Sequence, residues 1–521
     1  MRFAERLAKG LVAALLLGLA SPGIAEAETV LRVVPQADLR VLDPYTTAAT
    51  ITRIFGLMIY DQLYSYGEDM RPHPQMVAEM RVSPNKLTYE FTLRDGLAFH
   101  NGQPVTSADV VASIPRAARQ DPLMQLMMKR LARIEPVDAK SFRLVFSQPF
   151  AYVEAALAQS AAVIMRAEDI AAAGDKPITT TMGSGPFRFV ASEFVPGARV
   201  VFDRNPAYVP RDEPADGDAG GKRVFVDKVE WRIIPDLQTR VSALQKGEVD
   251  ILDQLPHDGI QSLAGKPGIV VEPSNRLGNL AFLRMNTLQP PFNDVRARRA
   301  LALLVDQKDY LSAAFTDDPK WWRTCFSWFG CGTLTGTEAG SEPYRAPNPA
   351  EAKRLLAEAG YKGEKIVILS TQEIPLIDAL AEVTADKLRT IGVNVDLQMS
   401  DWGTLVVRRA KKDPVDKGGW NIFQSGTDVA TASQPATNIL VDTRCDGNNY
   451  VGWPCSDALE AMRTEVIDEP SAAGIEALSR GLWDQLPSVL LGQYTQPFAY
   501  RGNISGLQHG TVLAFWNVHK S

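Results

Sequence analysis

The alternation of apolar and polar positions is clearest over residues 88–94, where Tyr89, Phe91 and Leu93 fall on one face of a half-buried strand. Asp95-Gly96 turns the chain, Leu97 to Phe99 forms a second short extended piece, and Asn101-Gly102 supplies the positive φ angles of a tight turn. Thr106 then caps a helix expected over 106–114, with Asp109 as the capping-box acid near the positive helix end. Pro115 lacks an amide N–H, so the helix is expected to end or kink there. The same reading predicts strands over 30–34, 142–146 and 229–234, and helices over 50–63 and 239–246. Asn348-Pro349-Ala350-Glu351 carries a cap, a first-turn proline and an acid, and so starts a helix that Gly360 ends. The apolar run Ile366 to Leu369 and the alternating Val393, Val395 and Leu397 flank another helix, an order that favours a parallel pair with a right-handed crossover. Ligands of such sheets bind beyond the carboxyl ends of the strands, which places Ser370, Thr371, Asp401 and Trp402 near a cleft. Residues 211–222 are acidic and rich in proline and glycine, and read as an exposed loop.

Composition narrows the class. The chain has 521 residues, 45% hydrophobic and 22% charged, with no internal apolar run long enough to span a membrane. Arg2, Arg6 and Lys9 precede an apolar run over 11–20, and Ala25-Glu26-Ala27 offers a small-x-small cleavage pattern, so residues 1–27 are expected to be a signal peptide. Cysteine does not follow the run, so no lipid anchor is expected. Removing this segment moves the formal charge from −6 to −7, and so acidic a chain is not built for nucleic acid. The four cysteines of an exported chain point to disulfides with three possible pairings. The local one, Cys325 with Cys331 and Cys445 with Cys455, is preferred because each closes a short loop. Neither spacing is a CxxC pattern and no histidine flanks either pair, so no metal is expected there. The five histidines form no HExxH motif and no Gly-x-Ser-x-Gly elbow is present, which argues against a secreted hydrolase and for a chain without catalytic residues or cofactor.

The run Tyr89-Glu90-Phe91, Leu93-Arg94, Phe99-His100-Asn101-Gly102, Pro104-Val105-Thr106 and Asp109-Val110 resembles the signature of extracytoplasmic solute-binding proteins of the peptide/nickel class, the receptors that feed ABC importers. Leu42-Asp43-Pro44, Gly183-Ser184-Gly185-Pro186, Arg204-Asn205-Pro206 with Tyr208, and Glu358-Ala359-Gly360-Tyr361 resemble further family motifs, so the likeness covers nearly the whole exported chain. It implies an α/β, periplasmic-binding-protein-like fold: two mixed α/β lobes joined at a hinge around a ligand cleft, with an extra α+β subdomain. Lobe I would comprise 28–60, 182–278 and 490–521, the inserted subdomain II 61–181, and lobe III 279–489. The implied function is a monomeric periplasmic receptor that captures a di- or oligopeptide and delivers it to membrane permease subunits. Opines, sugars, modified peptides or chelated nickel are the alternatives.

The resemblance also implies ligand residues. Trp402 and Arg409 match a family tryptophan and an arginine that reaches ligand carboxylate; Tyr45, Thr46 and Tyr494 are the candidates from the large lobe. Gly426-Thr427-Asp428 stands where peptide binders carry an aspartate for the ligand α-ammonium. The sequence departs from that motif, with Thr427 in place of tryptophan and the acid closer to the glycine, so Asp428 is expected either to anchor an amine or to cap a turn.

Overall fold

A computed structural model of the chain describes residues 28–47, 49–274 and 276–521; the expected signal peptide lies outside them. Three sheets organise the chain. A seven-stranded sheet runs in the order Ile269–Pro273, Pro497–Arg501, Ile251–Leu252, Val30–Val34, Lys228–Arg232, Arg199–Arg204, Phe187–Phe189. A six-stranded sheet runs Trp322–Arg323, Val489–Tyr494, Asn279–Met285, Ile422–Asp428, Ile366–Ser370, Val395–Met399. In sequence, an antiparallel four-stranded sheet, Val77–Val82, Thr88–Leu93, Ser141–Phe146 and Leu131–Pro136, lies between the first strand of the seven-stranded sheet and that sheet's return at Phe187–Phe189. These are called the lobe I, lobe III and inserted sheets below.

In the inserted sheet the alternation is obeyed: Tyr89, Phe91 and Leu93 are buried, and Phe91 stacks on Phe142 with ring centroids 4.9 Å apart. One continuous apolar core joins this sheet to lobe I through Phe55, Tyr64, Phe202 and Trp231. A single core resists internal sliding because its side chains interlock, so the insert travels with lobe I. Lobe III has its own core around Phe282, Trp328, Leu380 and Trp483. In it Ile366–Ser370 and Val395–Met399 pair in parallel, with helix Pro375–Thr390 between them in sequence.

The helix capped by Thr106 spans Ser107–Ala117, and the Thr106 N–H and hydroxyl donate to Asp109 Oδ2 at 2.8 and 2.9 Å. Pro115 lies inside its last turn rather than ending it. A proline there forfeits only one intrahelical bond, and the helix stops two residues later. Residues 211–222 also differ from the expected exposed loop, because their second half is buried. Lys222 Nζ lies 3.0 Å from Asp61 Oδ1 with both side chains fully buried. Tyr208 donates to the other carboxylate oxygen at 2.9 Å, and the ammonium sits 4.8 Å above the Trp516 ring. A charge in an apolar interior persists only with such partners.

The Leu42-Asp43-Pro44 turn is explained by a second buried pair. Asp43 accepts from the backbone of Tyr45 at 2.9 Å and Ile178 at 2.7 Å, and from Arg116 at 3.3 Å. It therefore clamps the chain leaving the first strand to the insert. His100 belongs to a junction of the same kind. Its backbone N–H donates to Gly183 O at 2.8 Å and its ring lies 3.3 Å from Gly185 O. A Cβ at Gly183 would stand 1.6 Å from the carbonyl oxygen of Ile59, so only glycine lets these segments meet.

Two outcomes are expected from these contacts. Lys222→Met leaves Asp61 buried without its counter-charge and should lower unfolding free energy by about 3–5 kcal/mol, read from chemical denaturation. Burial pushes the His100 ring down to about 4 from 6.5. The unfolded chain then binds a proton that the folded one refuses, so His100 contributes stability above pH 6.5 that is lost as pH falls towards 4. Against His100→Gln, the wild type should lose up to roughly 3 kcal/mol over that window; parallel pH profiles of the two proteins would refute this.

Candidate functional site

The lobes are joined by an antiparallel ribbon that continues from one sheet into the other. Ile269–Pro273 pairs with Pro497–Arg501 in lobe I, and the same two segments pair again in lobe III as Asn279–Met285 with Val489–Tyr494. At the crossing, Ser274 N–H donates to Gln496 O at 2.8 Å. Gly278 sits at φ 66°, where a Cβ would stand 2.0 Å from Tyr494 O. The ribbon thus narrows to a few residues between two separately cored bodies, as a hinge requires.

A cavity lies beside this crossing with walls from both sides of the hinge. Arg53, Tyr66, Gln159 and Thr511 contribute from lobe I and the insert; Asp428 and Thr431 contribute from lobe III. Asp428 ends the strand Ile422–Asp428 and caps the short helix Val429–Ala432, accepting from Thr431 N–H at 2.7 Å. Both readings of this residue therefore coincide: it is an N-cap, and it stands on the wall of an inter-lobe cavity. Its charge is felt on both walls. Burial first, and the Asp428 carboxylate with it, hold the Tyr494 hydroxyl above its ordinary value. For Tyr66, burial and the charges of Asp121 and Asp428 act in the same direction.

The other expected ligand residues are distributed differently. Tyr45 is in the lobe I core and its hydroxyl donates to Val163 O. Thr46 donates its hydroxyl to Asp43 O at 2.9 Å, within its own turn. Ser370 is fully buried and donates to Asp378 Oδ1 at 3.1 Å. These three side chains spend their donors inside the protein. Tyr494 is nearly buried, stacks on Phe315 at 4.8 Å, and lines a second inter-lobe cavity together with Gln36, Arg240 and Gln496. A side chain at Gly426 would collide with its hydroxyl, since a Cβ there falls 2.3 Å away.

Trp402 and Arg409 occupy the first and last positions of helix Trp402–Arg409, which Asp401 caps through a 2.9 Å bond from Thr404 N–H. The Arg409 guanidinium lies 5.2 Å from the Trp402 ring, 5.4 Å from Phe423 and 5.9 Å from Tyr450. It is half-buried among aromatic faces and has no ion pair among the described residues. Such a cation is held in place by ring quadrupoles while its charge stays available.

The disulfides Cys325–Cys331 and Cys445–Cys455 both form. The first braces a loop against lobe III: Cys331 N–H bonds Gln493, and Thr335 donates to Ser433 O at 2.7 Å, next to the cavity-lining residue Gln434. The second closes the loop carrying Trp453, which packs with Trp420 and Phe423. Among the described residues no group of three His, Cys, Asp or Glu side chains could hold a metal ion, and no helix is long and apolar enough to cross a membrane.

Comparison with known proteins places this architecture. The model of the bacterial extracellular solute-binding proteins, family 5, matches residues 71–449. A probable peptide ABC transporter periplasmic-binding protein of Sinorhizobium fredii is 42% identical over 493 residues, 93% of this chain and 92% of that protein. A glutathione-binding protein of Salmonella typhimurium is 24% identical over 513 residues, 94% of each chain. Among solved structures, a dipeptide-binding protein from a Pseudoalteromonas species in complex with Met-Leu superposes with a TM-score of 0.74 at 19% identity, covering 94% of this chain and all 100% of the other. An Agrobacterium protein in complex with agropinic acid gives 0.74 at 22% identity over 94% and 99% of the two chains, and at these identities both likenesses concern the fold. On the family match and the extended 42% identity, this chain belongs to the bacterial extracellular solute-binding proteins of family 5.

Proposed function

We propose that this protein is a periplasmic, non-catalytic receptor that closes around a short peptide and hands it to the permease of an ABC importer. The observation that carries the reading is Asp428: a carboxylate on the wall of a cavity that both sides of the hinge complete, with one oxygen engaged by its own helix and, among the described residues, no hydrogen bond to the other, which a ligand ammonium could use. The peptide-transport name of the Sinorhizobium relative and the Met-Leu ligand of a protein with this fold support the same ligand class. Lobe I with its insert and lobe III act as the two closing bodies, divided near 278–279 and 489–490. Ligand favours the closed form because it touches both. The acidic charge fits a monomer that works apart from nucleic acid.

A second reading is an opine or another small non-peptide solute. Thr427 in place of the tryptophan of peptide binders favours it, as does the agropinic acid bound by a protein of the same fold.

Native mass spectrometry of the exported protein, followed by release of its ligand under denaturing conditions, separates the two. A set of short peptides is expected; a single non-peptide mass would overturn the peptide reading. Asp428→Asn keeps the cap, since asparagine caps as well as aspartate, but removes the charge. It should weaken peptide binding by roughly 10- to 100-fold, the range for a hydrogen bond to a charged group, with an unchanged thermal midpoint. Unchanged affinity would remove Asp428 from the site.

A further inference from the structure

Away from the hinge, lobe III alone lines a cavity of about 480 Å³, set between helix Val295–Ala302, the chain at 287–288, the disulfide loop at 453–456 and the turn at 485–487. Leu288, Val295, Trp453, Pro454, Leu459 and Pro487 make much of its wall apolar. Among them stands Arg298, a cation with no ion pair among the described residues. Its Nε donates to Gln485 O and its Nη1 to Phe292 O, each at 2.9 Å, and no bond from Nη2 is found among the described residues. Carbonyl oxygens hold a guanidinium in place without neutralising it. Burial accordingly pushes Arg298 down to about 10 from 12.5, whereas hydrogen bonds to Asp294 hold Arg296 above its ordinary value. Asp294 is the one acid on the wall among the described residues, and Arg296 engages both of its oxygens, with Nη2 at 2.6 Å from Oδ2. Glu460, behind Thr443, is held by Arg463 Nη1 at 3.0 Å. Two further donors belong to the wall. Trp453 is 6% exposed and its Nε1 has no hydrogen-bond partner among the described residues; unlike Nε1 of the neighbouring Trp420, it is not sealed from solvent. The Ser456 oxygen accepts from Leu459 N–H at 3.3 Å, and its hydroxyl proton has no acceptor among the described residues.

From this arrangement we infer that lobe III carries a second ligand site, outside the inter-lobe region, for a small monocarboxylate with an apolar body. The carboxylate pairs with Arg298, whose Nη2 still has both N–H groups to donate, and Trp453 and Ser456 supply the remaining donors. The apolar body takes the place of water against Leu288, Pro454 and Pro487. One unpaired cation matches one negative charge, whereas a phosphate dianion would keep a charge uncompensated beside an apolar wall. The volume lies in the range of small-molecule sites. Every wall residue falls within 279–489, so the site does not need the other lobe. A ligand there binds open and closed forms alike and does not drive closure. The inference therefore does not rest on the peptide reading.

The test uses the full exported protein, both as purified and stripped of bound ligand. The probes are benzoate, 3-phenylpropionate and hexanoate, with their primary amides as neutral controls, and binding is read by calorimetry. At least one acid should bind about 10-fold or more tightly than its amide, with the same affinity in both preparations. Arg298→Gln should erase that preference. Because Arg298 also holds two carbonyls, a second variant leaves it in place: Leu288 is 45% exposed, so Leu288→Glu sets a negative charge on the wall without entering the core. It should weaken acid binding at least about 10-fold, while Leu288→Gln, of the same size and uncharged, keeps the preference for acids. No binding by any of the acids, equal binding of acids and amides, or acid binding untouched by Leu288→Glu overturns the site. Acid binding confined to the stripped protein would place the carboxylate in the inter-lobe cavities and overturn it as well.

Discussion

Everything this molecule can do depends on one constraint: the chain crosses between its two main bodies as a hydrogen-bonded ribbon. The pairing of 269–273 with 497–501 and of 279–285 with 489–494 makes one ladder shared by two sheets. Such a ladder fixes the register of the bodies, so they cannot slide past each other along the strands, yet at Ser274, Gly278 and Thr495 it is thin enough to bend. There is a third tether. Trp321 belongs by sequence to lobe III but packs with Val241, Leu244 and Ala499 of lobe I; Thr495 N–H donates to its carbonyl at 2.8 Å. Lys320 reaches Val271 O at 2.6 Å beside it. The buried indole thus ties the Trp321 segment to lobe I beside the crossing.

The insert and lobe III also meet through contacts of another kind. Arg130 of the insert meets Asp468 at 2.5 Å, and Tyr152 donates to Val466 O at 3.4 Å near the end of helix Asp457–Asp468. Asp468 is nearly half exposed, and pairs of this sort are worth roughly 0–1 kcal/mol. Contacts this weak add little to the association of the two bodies. The division of labour is physical: buried pairs such as Lys222–Asp61 and Arg116–Asp43 make each body rigid, and screened pairs between the bodies leave them free to part.

Much of the fold was legible because its signals are local. Thr106 with Asp109, and Asn348 with Pro349 and Glu351, announce helix starts within four residues, and Tyr89, Phe91 and Leu93 announce a half-buried strand. What was not legible is whatever depends on distant partners. Lys222 sits in a stretch whose composition reads as solvent-exposed, and only Asp61, far away in sequence, accounts for its burial. Tyr45 and Thr46 stand beside the Asp43 clamp, but sequence does not say that the Tyr45 hydroxyl turns inward to Val163. Asp428 could be proposed from its place after a glycine-containing strand. Arg53, Gln159 and Thr511 could not, since they come from three separate segments and meet only around the cavity. Arg53 left a trace in hindsight, as a lone cation in an otherwise apolar helix face, Ile51, Ile54 and Phe55 being buried around it.

The central claim is that ligand closes two rigid bodies about the ribbon. It is tested most directly by the distance between spin labels on exposed Ala139→Cys of the insert and Ala473→Cys of lobe III, measured with and without the peptide that co-purifies. The account predicts a broad, longer distribution for the emptied protein that narrows to a shorter distance when the peptide is returned. A single distance, the same in both states, would contradict it.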